Sequence, residues 1–397
     1  MDRLEPAGSA RDAVLSKLRE VLAKAAPEVA DIDARGSITP ELYEALEATG
    51  AFQALTPKIY GGLELSLNDV NALLVEGGKT SGSLGWVLMI HIQQSLGIGS
   101  FPKETVLKIL EAHPRVRIRG VAAPKGTATP TEGGYIVSGQ WPFASGGPSP
   151  HFIGANCIVT ENGKPKIGPE GHPELIIVWV PAEQVEFLDT WHVIGMRGTN
   201  SCDFRIKDVF VPTEMSSNLF TGKNFFETPA ARLPIRVALS PGHAAVAIGI
   251  AQGALDEIIA LSKTKRAAMN PTARLVEDPV FRHSIGHCAL RLSAARAFLE
   301  KWTNDLEEAV ALGPSLTPYQ IMMGRAMTGH ITSECIAIVE KCFRLGGSAS
   351  VYTSCPLERR LRDIMVAGQH ISAFEEIYRS LGATLLDEQL SEFELMF

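Results

Sequence analysis

The sequence predicts a mainly α-helical chain with a central antiparallel sheet or barrel, and three observations carry that reading. Apolar residues recur at helical spacing within residues 1–115, as in Val14, Leu15, Leu18, Val21 and Leu22. Within 116–232 the rhythm changes to short β-rich segments cut by Gly and Pro, such as YIVSGQW, LIIVWVP and CDFRIKDVFVP. Within 233–397 helical periodicity returns in long stretches with short connections, which suggests an antiparallel four-helix bundle. No helix of normal length fits between the strand segments, so an antiparallel sheet or barrel is favoured over a doubly wound parallel sheet.

The elements follow in order. Thr39 is an N-cap with Pro40 at the first helical position, and that helix ends near Gly50. The turn from Pro57 to Gly62 leads to Ser66, which caps a helix carrying Leu67, Val70, Leu73 and Leu74 on one face. A further helix runs from about Ser83 to Ile98 and contains Gly85, Trp86 and His91. The bundle helices fall near 237–268, 278–312 and 317–345, followed by a kinked pair from Pro356 to Leu386.

In that pair, Leu357, Leu361, Ile364 and Met365 form a buried stripe and turn Arg359, Arg360 and Asp363 outward. Ser372 and Glu375 have the spacing of a capping box, with Phe374, Ile377, Tyr378, Leu381 and Leu385 as the next buried stripe. His370 then lies in the kink, just ahead of a helix N-terminus whose partial positive charge disfavours imidazolium. A neutral ring there either hydrogen-bonds or takes a proton from a small ligand near pH 7, or it satisfies a backbone carbonyl at the kink.

With 397 residues, 45% of them hydrophobic, the chain can bury a large core divided into two or three domains. The net charge of −7 is spread without a Lys/Arg block, which argues against nucleic acid or an anionic membrane as partner. The run Val237 to Leu255 is rich in Ala and Gly and broken by Pro241 and His243, so it reads as a closely packed soluble helix. The N-terminal stretch lacks the apolar core of a signal peptide, and a cytoplasmic location is expected. Six scattered cysteines without a C-x-x-C suggest reduced, mostly buried thiols.

No G-x-S-x-G elbow, Walker A loop or H-E-x-x-H occurs, and Gly97 to Pro102 lacks the last glycine of a dinucleotide fingerprint. His283 and His287 share a helix face but have no third ligand, so no metal site is expected. Three other stretches invite a ligand. Trp141-Pro142-Phe143-Ala144-Ser145-Gly146-Gly147 reads as a hairpin with a hydrophobic anchor, or as a shelf on which a planar ring stacks. Arg266, in the run Lys263-Thr264-Lys265-Arg266 that ends a helix, is good dipole chemistry or a phosphate clamp. Gly346-Gly347 is a C-cap or a place where backbone approaches a phosphate.

Taken together, these landmarks resemble the acyl-CoA dehydrogenase superfamily over nearly the whole chain. The matching residues are Pro57 to Gly62, Gly85-Trp86, the shelf, Gly195-Met196-Arg197-Gly198-Thr199, Val209 to Pro212, Gly346-Gly347 and Arg362-Asp363. The resemblance implies an N-terminal helical domain (1–115), a β-barrel (116–232), a C-terminal four-helix bundle (233–397), a flavin held between them, and a homotetramer. In most dehydrogenases of the family a glutamate base stands nine residues after the arginine of the Arg-Asp pair; here that position is Ile371, preceded by His370.

The pattern is more similar to the branch of two-component flavin-dependent monooxygenases, where a histidine stands in the place of His370. A second histidine follows the Gly-Trp motif in that branch, as His91 does here. One departure is the exit of the shelf, where many relatives have Cys-Asp-His and this chain has Gly147-Pro148-Ser149-Pro150-His151. The resemblance implies reduced flavin (FMN or FAD) made by a separate NAD(P)H-dependent flavin reductase. With O2 as co-substrate and through a C4a-hydroperoxide, such an enzyme oxygenates a small, typically aromatic, organic substrate. It assigns His370, His91 and Ser145 to catalysis, and Trp141, Phe143, Ser145, Gly146, Arg266, Gly346 and Gly347 to flavin binding. The alternatives are an acyl-CoA dehydrogenase with a displaced base and a non-catalytic flavin-binding paralogue.

Overall fold

The computed structural model describes residues 7–168, 171–218, 224–267, 270–313, 315–391 and 394–395. Six α-helices open the chain: α1 (Ala7–Ala25), α2 (Val29–Arg35), α3 (Pro40–Ala48), α4 (Leu67–Thr80), α5 (Gly82–Gly97) and α6 (Lys103–Ala112). The two predicted caps are made. Thr39 Oγ1 accepts from the Leu42 amide at 3.2 Å, and Ser66 Oγ from the Asp69 amide at 3.1 Å.

Strands follow as β1 (Ile118–Thr131), β2 (Gly134–Trp141), β3 (Phe152–Glu161), β4 (Lys164–Pro165), β5 (Leu175–Pro181), β6 (Glu186–Leu188), β7 (Asp203–Pro212) and β8 (Ser216–Ser217). They form one eight-stranded sheet in the order β6-β7-β2-β1-β3-β5-β8, with β4 on β3. The sheet is mixed, where the sequence pattern suggested a purely antiparallel one. β1 and β2 make a hairpin, but the chain then crosses through 142–151 and lands β3 on the far edge of β1, parallel to it. Side chains such as Ala128, Val137, Trp141, Ile153, Val178 and Phe204 close on one another as this unit's own core.

The rest is α7 (Pro229–Arg232), α8 (Ile235–Ser262), the hairpin β9 (Arg266–Ala267) and β10 (Asn270–Arg274), α9 (Pro279–Leu312), α10 (Pro318–Gly346), α11 (Pro356–Ala367) and α12 (Ile377–Leu385). By length and composition α8 is apolar enough to cross a membrane, yet 67% of its most apolar window is buried inside the fold. Both helical parts share one core, which runs from Leu18 and Leu73 through Ile248 and Ile338 to Ile364. Gly78, Gly85 and Gly249 allow this: a Cβ on Gly78 would stand 2.6 Å from the Val246 carbonyl oxygen, and one on Gly249 2.5 Å from that of Val75.

The kinked pair departs from its pattern in four ways. Arg360 and Asp363 are buried, not outward. Arg360 donates to the Gly78, Lys79 and Thr80 carbonyls and pairs with Glu257, while Asp363 accepts from the Met196 amide at 2.7 Å. Met365, predicted to be buried, is exposed. The Ser372–Glu375 capping box does not form: Ile371–Ala373 is a short 3-10 turn, and α12 starts later, at Ile377. Phe374, Tyr378 and Leu385 of the expected buried stripe are exposed among the described residues.

Candidate active site

Four elements converge where the N-terminal helices, the sheet and the bundle meet. α5 brings Trp86, the crossover after β2 brings Ser145, α8 brings His243, and the kink after α11 brings His370. Trp86 is the centre: its Nε1 donates to Ser145 Oγ at 3.1 Å. Its ring stands edge-on to His243 and to His370, each at 5.4 Å between centroids. The two imidazoles stack 4.2 Å apart at 21°.

Each imidazole has one hydrogen-bond direction set by the backbone. His370 is the N-cap of the 3-10 turn, and its Nδ1 accepts from the Ser372 amide at 3.2 Å. A nitrogen that accepts carries no hydrogen, so the neutral ring presents N–H at Nε2. His243 Nδ1 lies 3.4 Å from the Leu239 carbonyl, which can only accept, so its Nε2 presents a lone pair. Burial, then the Arg236 charge, pulls the His370 pKa down to about 4. Burial, then His370, holds His243 well below the ordinary histidine range. Both rings are neutral at pH 7 for lack of solvation. The pair offers one donor and one acceptor, and His370 is a weak base but a ready donor.

The opposite wall is a ladder of hydroxyls. Ser145 Oγ is 2.6 Å from Ser201 Oγ, Ser201 Oγ is 2.6 Å from Thr199 Oγ1, and Thr199 donates to the Met196 carbonyl at 2.8 Å. Behind the ladder, the buried Arg119 guanidinium donates to the carbonyls of Ala144, Gly147 and Asn200. It therefore ties together the two loops that carry Ser145 and Ser201. Gly146, at φ +136, and Gly147 are needed here, since a Cβ on Gly147 would stand 2.1 Å from the Tyr43 ring.

The other predicted residues take different places. Trp141 is no shelf for a ligand: it is fully buried, stacked on Phe204 at 5.1 Å with Nε1 on the Asn156 carbonyl at 2.7 Å. The aromatic that does face out is Phe143, 64% exposed at φ +67, with Trp191 edge-on at 6.1 Å. His91 packs behind the shelf, stacked on Phe52 at 4.4 Å with Nε2 on the Tyr43 hydroxyl at 3.1 Å. It borders a cleft with Phe52, Tyr60 and Ile118, whose lining does not include His370. Burial, with Arg119 and Arg117 nearby, takes its pKa down to about 3.

Arg266 is exposed and donates to the Thr272 carbonyl at 2.9 Å, across its own hairpin. Its neighbour Lys265 reaches the Gly346 carbonyl at 2.6 Å, so Arg266 and Gly346-Gly347 share one end of the bundle. Gly347 has φ +56. The sequence reading missed His243, Arg119, Thr199 and Ser201 as site residues. Thr199 and Ser201 had no signal in the sequence: Asn200 between them has φ +46, so the alternation of an extended strand does not apply there.

Comparison with known proteins agrees with this architecture. Residues 9–105 match the N-terminal domain of acyl-CoA dehydrogenase, and residues 241–375 match its C-terminal domain. The chain belongs to the acyl-CoA dehydrogenase superfamily. Among its relatives in that superfamily, indole-3-acetate monooxygenase of Acinetobacter baumannii is 26% identical over 86% of this chain and 85% of its own. The flavin-dependent monooxygenase oxygenase subunit HsaA of Rhodococcus jostii is 26% identical over 90% of this chain and 92% of its own. The fold is that of 3-HSA hydroxylase from Rhodococcus sp. RHA1, with a TM-score of 0.88 at 22% identity over 97% of this chain and 99% of that one. XiaF from Streptomyces sp., solved with FADH2 and glycerol, gives 0.86 at 24% identity over 96% of this chain and 98% of its own.

Proposed function

We propose that this chain is the oxygenase component of a two-component flavin-dependent monooxygenase. It uses reduced FMN or FAD and O2 to oxygenate a small aromatic substrate. The observation that carries the reading is the uncharged imidazole of His370 set across Trp86 from Ser145, where a dehydrogenase of this superfamily needs a carboxylate. Ile371, at the usual base position, has no acid to offer and is 56% exposed. Relatives named for resorcinol and p-hydroxyphenylacetate point to phenolic substrates.

The residues present fit a flavin. Ser145 has an unspent lone pair and Phe143 offers an exposed aromatic face. Reduced flavin supplies the two-electron chemistry that activates O2. The chain's own part is to exclude water, orient the ring edge through Ser145, and hold the substrate. The Nε2–H of His370 donates to a phenolic oxygen, which fixes the substrate, and His243 Nε2 accepts the phenolic hydrogen, which increases the electron density of the substrate ring.

Reduced flavin comes from a separate NAD(P)H-dependent flavin reductase in the cytoplasm. A homotetramer is supported by the apolar side chains that α12 leaves exposed, Leu385 at 66% among them.

The test mixes purified protein with reduced FMN or FAD, O2 and a phenolic substrate, and measures product. His370→Ala is expected to lower product formation by about two to four orders of magnitude. Product at the wild-type rate would reject the assignment. Bleaching of bound flavin by an acyl-CoA thioester would point to a dehydrogenase instead.

A further inference from the structure

The hydroxyl ladder behind Ser145 has as many hydrogens as short oxygen–oxygen contacts, and that count fixes their direction. The Met196 carbonyl can only accept, so Thr199 must donate to it across 2.8 Å. Thr199 has then spent its only hydrogen, and Ser201 must donate across the 2.6 Å contact between them. By the same step Ser145 donates to Ser201 across 2.6 Å. Any other assignment leaves two lone pairs facing each other at hydrogen-bond distance with nothing between them. Trp86 Nε1, a donor only, fills one lone pair of Ser145 from 3.1 Å. One lone pair remains, so Ser145 has an acceptor to offer and no hydrogen.

The ladder cannot easily turn round. Thr199, Ser201 and Ser145 are 1%, 3% and 6% exposed, so no solvent substitutes for a lost partner. A lone β-bridge ties the Thr199 backbone to Ser37, and the Met196 amide is held by Asp363.

An acceptor that cannot donate discriminates between the redox states of a flavin. On the ring edge, N5 is an acceptor when the flavin is oxidised and an N–H donor when it is reduced, whereas N3 carries hydrogen in both states. We propose that Thr199 and Ser201 are positioning residues that hold the Ser145 hydroxyl as an acceptor for N5–H, so that the site binds reduced flavin in preference to oxidised flavin. The inference rests on the flavin reading above and adds a task to it: the chain selects the form a reductase must deliver and releases the spent form.

The experiment is binding without turnover. Folded wild type, Thr199→Val, Ser201→Ala and Thr199→Ser are titrated anaerobically with dithionite-reduced FMN or FAD, and separately with the oxidised flavin, by ultrafiltration of the free ligand. Wild type is expected to bind the reduced form at least about ten-fold more tightly, the scale of one mispaired hydrogen bond. Thr199→Val and Ser201→Ala each free a hydrogen that lets Ser145 donate, so the ratio should fall about ten-fold. Thr199→Ser keeps the ladder and should keep the ratio. Circular dichroism checks folding, and either disrupted variant alone decides the matter. Wild type with equal affinities, or disrupted variants with the wild-type ratio, would overturn the ladder's role while leaving flavin binding intact. Failure of folded wild type to bind either form would remove the flavin reading itself, and this inference with it.

Discussion

On the sheet side of the site every hydroxyl hydrogen near Ser145 is committed, through Ser201 and Thr199 to the Met196 carbonyl. On the bundle side, His243 and His370 face each other at 4.2 Å, and each ring keeps one nitrogen free of the hydrogen bond that sets its tautomer. One wall is fixed by a closed count of donors and acceptors, the other by desolvation, which keeps two bases neutral. Short polar side chains anchored to backbone carry fixed geometry, while imidazoles in a kink carry adjustable donors and acceptors.

The largest effect that would sharpen this contrast is the loss of product in His370→Ala, since it removes the donor of the adjustable wall and leaves the fixed wall in place. Next comes Arg119→Met, which leaves the Ala144, Gly147 and Asn200 carbonyls without their buried donor. About 3 kcal/mol of stability should be lost in urea unfolding. An unchanged midpoint would mean the sheet wall does not depend on that clamp.

A smaller effect concerns pH. His91 and His370 have folded pKa values near 3 and 4, against 6.5 for the free side chain. Between those values the unfolded chain binds protons that the folded chain does not. Stability therefore falls as pH drops from about 6.5 towards 4, at up to about 1.4 kcal/mol per pH unit for each buried histidine. His91→Phe, which keeps the stack on Phe52, should flatten the slope by about one histidine's share in urea midpoints taken at pH 7, 6, 5 and 4. An equal slope in wild type and variant would count against a neutral, buried His91. The smallest effect belongs to Ser372→Ala, expected within about 0.5 kcal/mol because only the Ser372 amide, and no cap from its side chain, is used at the kink. A loss of about 1 kcal/mol or more would restore the capping box.

Local rules were enough for the two helix caps early in the chain. Thr39 and Ser66 cap the amides three residues on. The same reasoning failed at Ser372, because His370 took the cap first and the turn ended before a helix began. It failed at Trp141 too, where the alternation of a strand does not say whether an aromatic next to a turn looks out to a ligand or in to Phe204. Arg360 and Asp363 looked like an outward face because their partners, the Gly78 to Thr80 carbonyls and the Met196 amide, lie more than a hundred residues away.

By itself, the sequence determined the order helices, strands, helices, the kink that sets His370 apart, and the absence of an acid at position 371. Those features rest on periodicity, caps and residue identity, which are properties of neighbours in the chain. Only the tertiary structure decided that His243 stacks on His370, that Trp86 links them to Ser145, and that Ser145 offers a lone pair in place of a hydrogen. A hydroxyl is donor and acceptor at once until something fixed takes its hydrogen. Here that something is a carbonyl at the end of the ladder, brought into place by packing against Asp363 from the other end of the chain.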